Sequence, residues 1–170
     1  MLTKSDIEKY FLEEKHACML FMIIGIVAIF LGITFYFFLK NNIYKGAAFP
    51  LIIIGLLQCI VGYSVYARSD NQRIENVYAF DMNPSKLKND ELPRMKTVTK
   101  SFTVYKVIEI VLFLIGIMLI FYFKKNDEKK FWLGFGIALA MQSVIMFCGD
   151  YFAEKRAKIY TEQLQHFDKK

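Results

Sequence analysis

The chain has 170 residues, 55% of them hydrophobic and 22% charged, with a formal net charge of +6 and a mean hydropathy of +0.31. That composition is too apolar for a water-soluble domain of this length. No Gly-rich phosphate loop, HExxH, CxxC pair or GxSxG elbow occurs, which excludes the common phosphate, zinc and serine-nucleophile motifs and gives no ground for expecting an enzyme or a cofactor.

The first sixteen residues are mostly polar. The segment Ser5-Asp-Ile-Glu8 reads as a capping box, and Ile7, Phe11, Glu14 and Cys18 then keep helical spacing into the first apolar run. That run, 17–39, is 23 residues without a charge. A bilayer core about 30 Å thick needs roughly 20 residues of helix. The run is therefore long enough to span, and too long for the h-region of a cleaved signal, so a signal anchor is expected.

The second span, 47–67, runs on without a breaker through Arg68, Asp70 and Arg73 as far as Asn83-Pro84. A new helix is expected to start at Asp90, Glu91 and Pro93 and to lead into the third span, 103–123. The segment 68–102 then forms a helical loop between spans. The fourth span is 131–152, and in the tail 153–170 the residues Ala153, Ala157, Tyr160, Leu164 and Phe167 step by four and three, an a/d stripe.

Lys and Arg number 15 in the two terminal segments and the central loop, against 6 in the two short loops. The termini and central loop are therefore expected in the cytoplasm, and the positive charge reads as this bias, with no nucleic-acid footprint. Aromatic residues crowd the expected boundaries, among them Phe37, Phe121, Tyr122 and Trp132 outside and Tyr63, Tyr105 and Tyr151 inside. Cys18, Cys59 and Cys148 show no paired spacing and read as packed thiols.

A shift of 84 residues lays the first hairpin over the second with ten identities in 41 positions. Gly32 falls on Gly116, and Gln58 on Gln142. Both copies run the same way, which is the pattern of a parallel repeat about an axis normal to the membrane. The expected fold is thus all-α: an integral-membrane four-helix bundle of two antiparallel hairpins, with helices extended into the cytoplasm as one domain.

Small residues form stripes along the helices, where close backbone approach drives association in lipid. Gly25, Gly32, Gly55, Gly62, Gly116, Gly134 and Gly149 are the expected packing faces. Gln58 and Gln142 lie on these stripes near the midplane, where a hydrogen bond between the hairpins and a solute contact are both readings. Glu109 is the costliest residue to place: a charge within the span must face protein or water or be protonated. Lys106, one turn earlier, is its expected ion-pair partner. Asp150 and His16 lie at interfacial depth and complete a polar cluster, structural or functional. Glu14, Arg68, Asp70, Arg73, Glu154 and Arg156 are expected to lace the cytoplasmic end.

In length, span count, short outer loops and lack of catalytic motifs, the chain resembles the inner-membrane immunity proteins that protect bacteria from pore-forming colicins and type VI secretion effectors. The resemblance is one of architecture and carries no site residues over. It implies a non-enzymatic protein of the bacterial inner membrane whose partners are the lipid bilayer and a toxin. The other readings are an accessory subunit of a membrane complex, a homo-oligomer, or a small transporter or channel that uses Glu109 as a proton or cation site.

Overall fold

The structure is a computed structural model that describes residues 2–167; the last three residues of the expected tail lie outside it. Four long helices account for most of the chain: Lys4–Phe37, Asn42–Met82, Leu92–Phe123 and Lys130–Gln165. They are called first to fourth below.

The first helix is capped two residues earlier than the sequence suggests. Thr3 has extended backbone and accepts from the Asp6 N–H at 3.2 Å, while the Asp6 carboxylate accepts from the Thr3 N–H at 2.9 Å. Thr3 and Asp6 therefore make the capping box, and Ser5 lies inside the first turn. The second helix starts on Asn41, whose side chain accepts from the Ile43 N–H at 3.1 Å. It passes through Pro50, which cannot donate to the Gly46 carbonyl. It stops at Asn83 (φ −149°, ψ 71°), because the ring of Pro84 disfavours helical backbone in the residue before it.

The backbone turns helical again at once, over Pro84–Lys86 and a wider turn of π geometry at Leu87–Glu91. The expected start at Asp90 to Pro93 agrees with the regular third helix, which begins at Leu92, while the turns before it are already helical. In the wide turn the Leu92 N–H reaches back to the Leu87 carbonyl, and Pro93, which has no N–H to place, falls at the beginning of the regular helix. A 3₁₀ turn at Asp127–Lys129, capped by Asn126, leads into the fourth helix.

The first helix packs along the second, the third along the fourth, and the second against the fourth. All four contain a stretch long and apolar enough to cross a membrane. The helices continue beyond these stretches: at about 1.5 Å per residue, the 41-residue second helix is about twice as long as a bilayer core is thick.

At the end that carries both termini the core is built of large side chains. Ile7, Phe11, Leu87, Met95, Tyr160 and Leu164 are buried together, joined by Leu2, Ala157 and Phe167. The a/d stripe of the fourth helix thus faces this core from Ala157 onward. Tyr10 stacks on Tyr160 with ring centroids 4.3 Å apart. Among the expected charges, Asp70 takes Lys15 and Arg73, and Glu14 accepts from Tyr10 and Ser69. Arg94 donates two hydrogen bonds of 2.7 Å to the buried Glu91. Burial opposes the Arg94 charge, but the bonds to Glu91 outweigh it and hold its pKa above the ordinary value.

In the apolar stretches the helices meet at glycine. A Cβ on Gly25 would lie 2.7 Å from the Gly55 carbonyl oxygen, and one on Gly55 would lie 2.8 Å from that of Gly25. Gly116 and Gly136 face each other's backbone in the same way at 2.8 Å. Gly32 lies against Ala48 and Ile52, and Gly62 against Cys18 and Met22. Near the connections 38–41 and 124–126, Gly46 and Gly134 touch the backbones of Phe131 and Ile43 so closely that a Cβ would overlap them. Six of the seven expected packing glycines therefore make tight contacts. Gly149 does not: it is exposed, and a Cβ there would meet only the Phe21 ring at 3.7 Å.

Candidate functional site

Between the glycine contacts and the large-side-chain core the helices part around a cavity of about 460 Å³. All four line it. The first contributes Cys18 and Phe21, the second Gln58 and Gly62, the third Phe102, Tyr105 and Glu109, and the fourth Gly149 and Asp150. Glu14, Arg68 and Arg156 belong to the same wall. Small residues (Gly149, Ala17 and Ala153) stand on its wall; Gly62 lies there too, but the place of its missing side chain is taken by Met22. Gly149 belongs to this wall, and so its expected role in tight packing is corrected.

Three polar side chains mark the cavity. Gln58 is 0% exposed, and neither its amide nitrogen nor its oxygen has a hydrogen-bond partner among the described residues. Glu109 is 2% exposed, and no N–H donor among the described residues reaches either carboxyl oxygen. The group that faces it is another carboxyl, that of Asp150. An unpaired buried polar group costs about 1–3 kcal/mol, and more when charged. Two such side chains on one wall, with the half-buried carboxyl of Asp150 beside them, are therefore an expensive arrangement.

The expected pairing of Lys106 with Glu109 does not form. Lys106 donates to Glu154 at 2.6 Å, which also takes Lys158 at 3.0 Å. The two lysines hold the Glu154 carboxyl below its ordinary range. Glu154 is itself buried, on the fourth helix. Lys106 therefore spans between helices.

The other expected members of the cluster separate. His16 is exposed on the first helix and takes no part. Gln142 is buried with its side-chain oxygen unpartnered and does not line the cavity. Since both amide atoms of Gln58 are also free, the two glutamines do not hydrogen-bond to each other, and the expected clamp between the hairpins is absent. The fourth-helix face that meets the others there is Leu139, Ala140 and Ser143, with the Ser143 hydroxyl satisfied by the Leu139 carbonyl at 2.8 Å.

Sequence reasoning found Gln58, Glu109 and Asp150 but not the wall that unites them. Of the aromatic lining, Phe102 and Tyr105 read in sequence as boundary residues, and nothing in the sequence singles out Phe21. Among the described residues no group of three or more His, Cys, Asp or Glu comes together as a metal site. No family model, no curated protein and no solved structure matches the chain.

Proposed function

We propose that this chain is a four-span protein of a bacterial inner membrane, with its termini and the segment 83–91 on the cytoplasmic side, and that it works by taking a small solute into the cavity without chemically changing it. The observation that carries this reading is the cavity wall itself: Gln58 and Glu109 are buried and line one space, and apart from the Asp150 carboxyl facing Glu109 they have no hydrogen-bond partner among the described residues. Pockets of about 300–1,000 Å³ with an apolar wall and a few convergent polar groups are the common form of small-molecule sites. The 460 Å³ here lies within that range. The apolar stretches of the helices, the excess of Lys and Arg in the terminal segments and the aromatic girdles support the membrane placement. The match of Gly32 with Gly116 and Gln58 with Gln142 supports an origin by duplication of one hairpin.

Cys18 lines the cavity and tests the reading directly. In a Cys59→Ser, Cys148→Ser background, a charged, membrane-impermeant thiol reagent should label Cys18 in inside-out vesicles and leave it unlabelled in right-side-out ones. Labelling from neither side would overturn the cavity as an entry site.

A second reading is favoured by the third helix. Only 11% of its most apolar window is buried, the least of the four. Leu114 and Met118 on that helix are more than half exposed. That face would suit a partner helix within the bilayer, as an immunity protein meeting a pore-forming toxin or an accessory subunit requires. On this reading Leu114→Trp and Met118→Trp abolish protection against a toxin encoded beside the gene while Cys18 labelling is unchanged. Protection that survives both changes would remove it.

A further inference from the structure

We infer that the cavity takes an organic monocation, an ammonium group on an apolar or aromatic body, with Glu109 and Asp150 receiving the charge and Gln58 the remaining hydrogen bonds. The inference rests on the proposed reading of the cavity as a solute site and adds the chemical class of the solute.

Charge is the first argument. The charged groups on the wall are Glu14 from the first helix, Arg68 from the second, Glu109 from the third, and Asp150 and Arg156 from the fourth, with the Lys106–Glu154 pair beside them and off the wall. The charges close to Glu109 are Asp150 and Lys106. Lys106 is committed to Glu154, so its charge is matched elsewhere. Glu14 accepts from the Tyr10 hydroxyl at 3.2 Å and lies 3.0 Å from that of Ser69, whose one proton is shared with the Val65 carbonyl at 2.9 Å. Arg68 and Arg156 add two positive charges to the wall, but neither donates to Glu109, both of whose oxygens lack a donor among the described residues, so the carboxyls of Glu109 and Asp150 face one another without a cation of their own. A positively charged group with N–H donors is the complement of that pair.

Size and lining are the second. A bare ion or a single water, about 30 Å³ of liquid volume, would leave most of 460 Å³ empty. The remaining wall is apolar and aromatic: Phe21, Val61, Phe102, Tyr105 and Ile108. Aromatic faces favour cations over neutral molecules of the same shape. Gln58 is independent of the carboxyls. Its amide is wholly buried with a donor and an acceptor unmet, which a solute bearing both kinds of group would meet.

The test is isothermal titration calorimetry on the full chain in detergent or nanodiscs, with benzylammonium and its neutral counterpart benzyl alcohol. Benzylammonium should bind at least tenfold more tightly. Glu109→Gln and, independently, Asp150→Asn should each erase the preference for the cation. Two variants are used so that a fold defect in one, seen as a lowered melting temperature, does not decide the result. Gln58→Leu should weaken both ligands together. Equal binding of amine and alcohol, or no binding of either while Cys18 remains labelled from the inner side, overturns the inference and leaves the cavity reading standing. Absence of Cys18 labelling would instead remove the cavity reading itself.

Discussion

At the termini end of the bundle Phe11, Tyr160 and Leu164 fill the space between helices; at the other end Gly46 lies against the backbone of Phe131 and Gly134 against that of Ile43. The same four helices are thus held apart at one end by large side chains and drawn together at the other by their absence. The difference follows from the solvent on the proposed placement. In water, burying a large apolar side chain gains about 1.5–3 kcal/mol. In lipid that gain vanishes, and close backbone contact between small residues is what remains. The cavity occupies the level at which the packing changes from one mode to the other. Helices that converge at glycine and diverge around aromatic residues leave a gap between, and Gln58, Glu109 and Asp150 stand in it.

The largest effect is expected at the wet end. Phe11 is 1% exposed and touches the rings of both Tyr10 and Tyr160. Phe11→Ala should cost about 3–5 kcal/mol, read as a lowered midpoint in urea, which weakens hydrophobic burial in water. If the loss is below 1 kcal/mol, the core at this end is not what closes the bundle. Next comes the glycine seam. A methyl at Gly134 overlaps the Ile43 carbonyl, so Gly134→Ala should cost about 3 kcal/mol, the upper part of the range for overpacking. Gly149→Ala places the same methyl 3.7 Å from its nearest neighbour and should change stability by less than about 0.5 kcal/mol. Melting temperatures of the purified variants in one detergent separate the two. Equal losses would mean that the two glycines are not distinguished by contact.

Much of the fold was legible before any coordinates. The four apolar runs and the a/d stripe of Ala157, Tyr160 and Leu164 are one-dimensional signals, and each lies where its periodicity places it. The cap falls at Thr3 and not at Ser5 because Thr3 and Asp6 offer the same local chemistry two residues earlier, whereas the start near Pro93 lies where the sequence puts it. The site was half legible. Glu109 announces itself by cost, but which cation reaches it depends on helix rotation, which sequence spacing does not fix. Lys106 stands three residues from Glu109 and yet crosses to Glu154. Gly149 illustrates the same limit: a small residue at helical spacing can adjoin a backbone or line a void, and only the neighbouring helix decides which.

That diverted lysine yields the smallest and most specific prediction. Glu154 binds Lys106 and Lys158, and these bonds lower its folded-state pKa from the ordinary 4.5. A group with a lowered folded pKa stabilises fully above its unfolded value, and the contribution is lost as the pH falls through the folded value. The stabilisation is therefore complete above pH 4.5 and declines below it. Glu154→Gln should cost about 1–2 kcal/mol at neutral pH, the scale of a hydrogen bond to a charged group. The gap between variant and parent should close as the pH is taken below the ordinary carboxylate value. The variant also frees Lys106, one turn from Glu109 on the same helix. If Lys106 then swings back to Glu109, the base of the cavity gains the cation it lacks, and benzylammonium should bind more weakly although neither Glu109 nor Asp150 has been touched. Unchanged cation affinity in Glu154→Gln, with the stability loss present, would show that Lys106 is held away from the cavity by packing and not by its partner.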